Sequence, residues 1–389
     1  FTSKSKHLYV FDFNGLKLDY NANQYLIGTP ALGNLDDDDD LEIVFTSYSN
    51  DAKVFALNLD GSNVNGFPIT LDEKMQKGVA LADFNNNNKD DIIVGTDDDN
   101  IYLIYDDGSI GFNFLTGDKV RSSPIVISSN GQNIIVAGSK DGKLYAINDN
   151  GELRFEFDSG SPIYTSPSVI EFSGSLRIFF GNDAGEIFAL DLNGNLYDNF
   201  PLSIIEQDVL LSFNTVSQSI VFEDLDGDGV PEIVFGDENG KLNILKSIDD
   251  NFSSFTYYNS MPISNINAFA SSANISDLDN DGDLEVFVGT TGDLVVIDIK
   301  EESLLNNYWN VFRSNYHRNG FYISNLLCTS GDINNDSIIN VLDIVSIVNI
   351  IIQEPELSDI ELCASDMNFD GIVDILDIVT LVNVIMSEN

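Results

Sequence analysis

Short apolar bursts separated by polar turns run through the first three quarters of the chain. A quartet of strand-type residues recurs as LYVF at 8–11, VFAL at 54–57, IYLI at 101–104, LYAI at 144–147, IFAL at 187–190, LNIL at 242–245 and LVVI at 294–297. All but the first are preceded by another apolar run: EIVF at 42–45, DIIVG at 91–95, NIIVAG at 133–138, RIFFG at 177–181, EIVFG at 232–236 and EVFVG at 285–289. The runs are rich in Val, Ile, Phe and Tyr and bounded by Gly, Asn and Asp, the composition of strands. The glycines that close five of them, 95, 138, 181, 236 and 289, stand 43, 43, 55 and 53 residues apart.

A period of about 40–50 residues with four short strands per unit is the pattern of β-propeller blades. Seven quartets predict seven blades, or eight if the chain is truncated. The first lacks its inner strands, because Leu8 lies so near Phe1. The segment YWNVFRSNYHRNGFYIS at 308–324 is expected to give the outer strand of the last blade and a closing strand for the first. Helical spacing is nearly absent before residue 340 and then appears twice, at Ile344, Ile347, Val348 and Ile351 and at Ile378, Leu381, Val382 and Ile385. The expectation is an all-β propeller over 1–325, followed by a small α-helical module over 326–389.

Hydrophobic residues make up 43% of 389, enough for a packed core. Eighteen basic residues against 63 acidic ones give a net charge of −45. Binding to nucleic acid or to anionic lipid needs clustered Lys and Arg and is excluded as a function class. Acidic sugars fit poorly unless a metal ion bridges them. No apolar run is long enough to insert in a membrane. The chain starts at Phe1, without Met or a signal-peptide core, and reads as a processed or truncated piece of a longer one.

The turns explain the charge. Oxygen-bearing residues recur at positions 1, 3, 5 and 9 of the loop before the second strand. They are Asp224, Asp226, Asp228 and Glu232; Asp277, Asp279, Asp281 and Glu285; and Asn34, Asp36, Asp38 and Glu42. Asp83, Asn85, Asn87 and Asp91 form a weaker copy, and the loops at 128–133 and 171–176 have lost the acids. Such loops converge their oxygens, and position 7 adds a carbonyl, a set suited to calcium with its six to eight oxygens. The competing reading is a run of Asx-turns. These repeats resemble the FG-GAP (integrin α-type) calcium-loop propeller repeats and their VCBS-like bacterial relatives. The resemblance covers residues 1 to about 325 and implies a non-catalytic adhesion or binding scaffold. It departs at Asp39 and Asn88, where Gly is usual.

From 326 to 389 there are twelve acids and no Lys or Arg. Two near-copies stand 34 residues apart, each with loop oxygens at positions 1, 3, 5, 9 and 12. In the first these are Asp332, Asn334, Asp336, Asn340 and Asp343, with the Ile338 carbonyl at position 7. In the second they are Asp366, Asn368, Asp370, Asp374 and Asp377, with the Ile372 carbonyl. This is EF-hand loop spacing with Asp at position 12 and only the exiting helix. The pair resembles the dockerin module of cellulosome-type proteins, which implies calcium and a cohesin-like or other surface partner. Ser337 replaces Gly at position 6. Val341–Leu342 and Ile375–Leu376 replace the Ser–Thr pair of many cellulosomal dockerins. That points to a more hydrophobic partner surface or a purely structural module. Cys328 and Cys363 stand at equivalent places before the two loops. They read as a disulfide worth roughly 4 kcal/mol or as two free thiols. Calcium loops of this kind suit an extracellular, secreted or cell-surface location.

Enzyme signatures are missing. There are two histidines, His7 and His317, and no GxSxG, HExxH or P-loop. The expectation is a calcium-binding scaffold whose propeller takes a glycan or protein and whose tail attaches it to a partner. The other reading is a component of a polysaccharide-degrading assembly, with catalysis in the propeller or upstream of Phe1. Ligand choice is assigned to the longer repeats, where Tyr197, Phe200, Phe213, Phe252, Phe255, Tyr257 and Tyr258 are either exposed platforms or core.

Overall fold

The computed structural model describes the chain except residues 39, 130, 174, 203, 207–208, 212, 250–251, 307, 325–329, 335–337, 354–363, 366, 368–372 and 388–389. Every apolar run of the repeat becomes a strand. β1 (His7–Asp12) and β2 (Gly15–Asn21) form a hairpin. β3 (Ala31–Gly33), β4 (Glu42–Thr46), β5 (Lys53–Leu57) and β6 (Ile69–Thr70) form a four-stranded antiparallel meander. β7 (Ala80–Ala82), β8 (Asp91–Gly95), β9 (Asn100–Ile104) and β10 (Ile110–Leu115) form the next. β11 (Ile125–Ser129), β12 (Gln132–Gly138), β13 (Lys143–Asn148) and β14 (Leu153–Asp158) follow in the same order. β15 (Ser168–Phe172), β16 (Ser175–Gly181) and β17 (Ile187–Leu190) form a three-stranded sheet, trailed by the hairpin β18 (Ile204–Glu206) and β19 (Val209–Leu211). In the next sheet β20 (Val221–Glu223), β21 (Glu232–Gly236) and β22 (Lys241–Ser247) are neighbours, and both β23 (Phe255–Tyr257) and β24 (Ile263–Ser264) pair with β22. β25 (Asn274–Ser276), β26 (Asp283–Gly289) and β27 (Leu294–Glu302) make the last. This is a β-propeller.

Burial follows position within the sheet. The second strands β4, β8 and β21 are buried at every residue, since neighbouring sheets cover both faces. Outer strands such as β10 and β14 keep one wet face and alternate. Phe200, Phe213, Phe252, Phe255 and Tyr258 are buried, and Tyr197 and Tyr257 pack on the same cluster. Phe252 meets Phe255 edge-on at 5.0 Å and Phe179 at 6.2 Å. The aromatics of the long repeats are therefore core, and the platform reading falls.

The closing segment departs from expectation. It gives no outer strand. It crosses the axis and accepts hydrogen bonds from the innermost strands. Phe222 and Ile275 donate to the carbonyls of Trp309 and Asn310 (2.9 and 3.0 Å). Leu32, Leu81 and Val126 donate to those of His317, Asn319 and Gly320 (2.8, 2.9 and 2.9 Å). β28 (Phe321–Ile323) then pairs parallel with β11. The inner edge of a blade presents N–H groups that its own sheet does not answer, and a buried free N–H costs about as much as a lost hydrogen bond. A chain laid down the axis answers several at once. Trp309 and Arg313 are fully buried in it, and Arg313 donates to the carbonyls of Val79, Arg318 and Asn319.

A ring of small residues stitches the blades just before their inner strands. Gly78 N–H donates to Ser123 Oγ (3.1 Å), Ser123 N–H to Ser166 Oγ (3.0 Å) and Ser219 N–H to Ser272 Oγ (3.0 Å), while Ser219 Oγ donates to the Ser166 carbonyl (3.0 Å).

Beyond residue 330 the two helical patterns become α1 (Val341–Gln353) and α2 (Ile375–Ser387), packed on each other around Ile347, Met367 and Leu381. Cys328 and Cys363 lie outside the described residues, as do Asp336, Asp366, Asn368, Asp370 and Ile372.

Candidate metal centres

Each acidic loop leaves the far end of an inner strand and returns into the buried second strand. The carboxylate at position 9 turns back on the loop. Glu232 Oε2 accepts the Leu225 N–H (2.7 Å), Glu42 Oε2 that of Leu35 (2.6 Å), Glu285 Oε2 that of Leu278 (2.6 Å) and Asp91 Oδ2 that of Phe84 (2.9 Å). Positions 4 and 6 take left-handed backbone: Gly227 and Gly229 (φ 70° and 84°), Asn280 and Gly282 (59° and 94°), Asn86 and Asn88 (57° and 61°). Asn tolerates this conformation, so Asn88 keeps the loop shape.

The loops differ in what remains unanswered. Asp224, Asp226 and Glu232 each bring an oxygen within 4.8 Å of the others, as do Asp277, Asp279 and Glu285, and Asp36, Asp38 and Glu42. In the 224–232 loop, Glu232 Oε1 and Asp226 Oδ1 are buried without a hydrogen-bond partner. Burial, reinforced by Asp226 and Asp224, pushes the Glu232 carboxyl up to about 9. Burial also raises Glu42, beside Asp36 and Asp38. Asn34 holds a buried oxygen, Oδ1, without a partner. These clusters keep buried acceptor oxygens that no donor answers, and a hard divalent cation is a chemical group that would answer them.

Asp228 and Asp281 stand apart from the three-oxygen sets led by Asp224 and Asp277. Asp228 accepts the Val230 N–H (2.9 Å) and pairs with Lys246 (2.7 Å), which also pairs with Asp226. Asp281 joins a second set with Asp283 and Glu285. Partial burial and Asp281 push Asp283 up to about 6. Asp283 is position 7, where the spacing offered only a carbonyl. Lys300 approaches Asp281 at 3.9 Å and Asp283 at 3.7 Å. Lys246 and Lys300 follow the quartets at 242–245 and 294–297, and nothing in the spacing of the acids marks them.

The 83–91 loop closes on itself. Asp83 accepts the N–H groups of Asn85, Asn87 and Asn88 (3.1, 3.2 and 2.8 Å). The Asn85 amide reaches Asp91 Oδ1 (3.4 Å) and that of Asn87 reaches Asp106 (3.0 Å). Amide donors here meet the carboxylate oxygens. Burial still pushes Asp91 up to about 7.

In the tail, positions 9 and 12 cap the helices. Asn340 Oδ1 accepts the Leu342 N–H (2.8 Å) while Asp343 Oδ2 accepts that of Asn340 (2.9 Å). Asp374 Oδ1 accepts the Leu376 N–H (2.7 Å) while Asp377 Oδ2 accepts that of Asp374 (2.8 Å). This is a duplicated capping box with Asp in place of Glu. The other oxygens of Asp343 and Asp377 hold the N–H groups of Asn334 (3.2 Å) and Met367 (2.8 Å). Asp332 is buried, and the Ile338 carbonyl accepts from the Asn340 amide (3.1 Å).

Models of known families match three stretches of the chain. They are the lambda-carrageenase beta-propeller domain over residues 42–161, the FG-GAP-like repeat over 224–288 and the dockerin type I domain over 330–386. Residues 224–288 thus match an FG-GAP-like repeat, and the tail matches a dockerin, a protein-attachment module. Both kinds of module are non-catalytic. No curated protein matches the chain. Among solved structures it is similar to BamB from Moraxella catarrhalis, at 14% identity over 76% of this chain and 92% of that one, with a TM-score of 0.47. It is also similar to BBS1N in complex with ARL6DN, at 13% identity over 78% and 87%, with a TM-score of 0.49.

Proposed function

We propose that the chain is an extracellular, calcium-binding attachment protein. Its propeller, read as seven blades with the β1–β2 hairpin as an incomplete first, holds a glycan, and its dockerin docks a cohesin-like partner. Calcium would be held by the 34–42, 224–232 and 277–285 clusters and by the two tail loops, where it neutralises converging carboxylates and fixes the loops.

One observation carries the docking reading. The helices expose the same apolar positions twice, 34 residues apart: Val341 with Ile375, Leu342 with Leu376, Val345 with Val379 and Ile352 with Met386, each more than half exposed. Contiguous exposed apolar surface of this kind marks an interaction site. It supports an apolar partner surface in place of one reading Ser–Thr pairs. Calorimetry of the full chain against a panel of cohesin modules tests it. Binding to one of them in calcium, lost in the Leu342→Lys/Leu376→Lys variant, is the expected result; no binding across the panel counts against it.

The match to the lambda-carrageenase propeller favours a second reading, a component of a polysaccharide-degrading assembly. That family's name gives its substrate as a carrageenan. Here the propeller would bind polysaccharide while a partner or another part of the protein cleaves it.

A further inference from the structure

At the ends of the inner strands opposite the acidic loops, next to the serine ring, lies an axial cavity of 350 Å³. That is within the range of about 300–1,000 Å³ seen for small-molecule sites. Its wall holds Lys77 and Arg318. Among the described residues neither forms an ion pair, although acids outnumber bases 63 to 18 in this chain. Glu238 acts on Lys77 through space. A third cation lies beneath. Gly78 lines the cavity, and a Cβ on it would stand 3.2 Å from Arg313 Nη1. That nitrogen is buried and has no hydrogen-bond partner.

Two of the three cations share one aromatic ring. The guanidinium carbons of Arg313 and Arg318 stand 6.0 and 5.8 Å from the centre of the Phe312 ring, and Phe312 also lines the cavity. Burial lowers the Lys77, Arg318 and Arg313 groups below their ordinary values, which is the cost of taking uncompensated positive charge out of water. An oxyanion would relieve it. Thr29, Gln218, Ser271 and Asn274 complete the wall with neutral donors and acceptors of the kind that meet sugar hydroxyls. The overall charge of −45 does not forbid this, because exposed charges more than about 10 Å away are largely screened at 0.1 M salt.

We propose that the axial cavity binds the acidic unit of an anionic glycan, with Lys77 and Arg318 meeting its carboxylate or sulfate group and the neutral side chains meeting its hydroxyls. This rests on the glycan reading of the propeller and names the sugar class. The test is calorimetry of the full chain in calcium with a hexuronate, a hexose sulfate, the neutral hexose and inorganic sulfate, followed by an anionic polysaccharide. One or both acidic sugars bind, and the neutral hexose binds about tenfold more weakly or not at all. The Lys77→Gln/Arg318→Gln variant loses about tenfold or more, while Lys143→Gln, on the outer part of a blade, binds as before. Should the double variant fail to fold, Gln218→Glu places a negative charge in the same cavity and is expected to give the same loss. Equal binding of the neutral hexose, inorganic sulfate binding as tightly as the acidic sugars, no sugar binding, or unchanged binding in the variants overturns the proposal. Polysaccharide binding that survives in the double variant overturns the axial site and leaves the glycan reading standing; a wild-type chain that binds no polysaccharide sinks both.

Discussion

At the scale of the residue, the four acidic loops show how one spacing leads to two outcomes. Glu232 and Asp91 occupy the same position and make the same bond to position 2. Glu232 keeps a buried oxygen that nothing answers, whereas both oxygens of Asp91 are hydrogen-bonded. Asp91 still carries a cost that depends on pH. Its folded value is raised to about 7 from an ordinary 3.8, so the folded chain holds the proton more tightly. Its contribution is fully present below about pH 4 and is lost as pH rises through about 7. In chelator, the melting temperature is expected to fall between about pH 4 and 7, and Asp91→Asn to flatten that slope while lowering the melting temperature itself. The variant leaves a backbone N–H facing an amide, at about 1–3 kcal/mol. A slope identical in the variant assigns the pH dependence to other groups. The sequence showed the oxygens and their order. It did not show which loops would answer themselves, because that depends on amides such as Asn87 reaching Asp106 across the next turn.

At the scale of the element, strands and helices were legible because each repeats a strong local pattern. The second strands read as unbroken apolar runs, and the tail helices read from spacing at i, i+3, i+4 and i+7. The helix starts carry a further signal: Asn340 and Asp374 are N-caps, three residues before Asp343 and Asp377. Replacing Asp374 by Ala is expected to cost about 1 kcal/mol of helix stability even in chelator, and in calcium the loss exceeds it. Thermal unfolding followed by far-ultraviolet circular dichroism reads both. A variant with no effect in chelator denies the cap, and one with the same loss in both conditions denies the metal role. The axial segment was not legible, since Trp309 to Ile323 satisfies other strands' donors without a strand pattern of its own. The serine ring was missed for a related reason. Ser123, Ser166, Ser219 and Ser272 recur at one phase, but a lone small polar residue per repeat is a faint signal. The aromatics of the long repeats look alike as platform or core in one dimension, and only packing decides between them.

At the scale of the molecule, the two ends of the inner strands carry opposite chemistry. One end presents clustered carboxylates and the other an axial cavity walled by unpaired cations, with a closing segment tying the blades together between them. The dockerin adds a second surface, apolar and duplicated. Calcium is the claim on which the proposed function depends, because a bound cation would neutralise the clustered carboxylates of the blade loops. Calorimetric titration of the full chain with calcium at neutral pH tests it most directly, run beside Glu232→Gln, Glu285→Gln and Asp83→Asn. The account predicts saturable calcium binding, the loss of one site in each of the first two variants, and unchanged stoichiometry in Asp83→Asn, whose loop already answers its own charges. A chain that takes up no calcium, or one whose sites survive Glu232→Gln and Glu285→Gln intact, would contradict it.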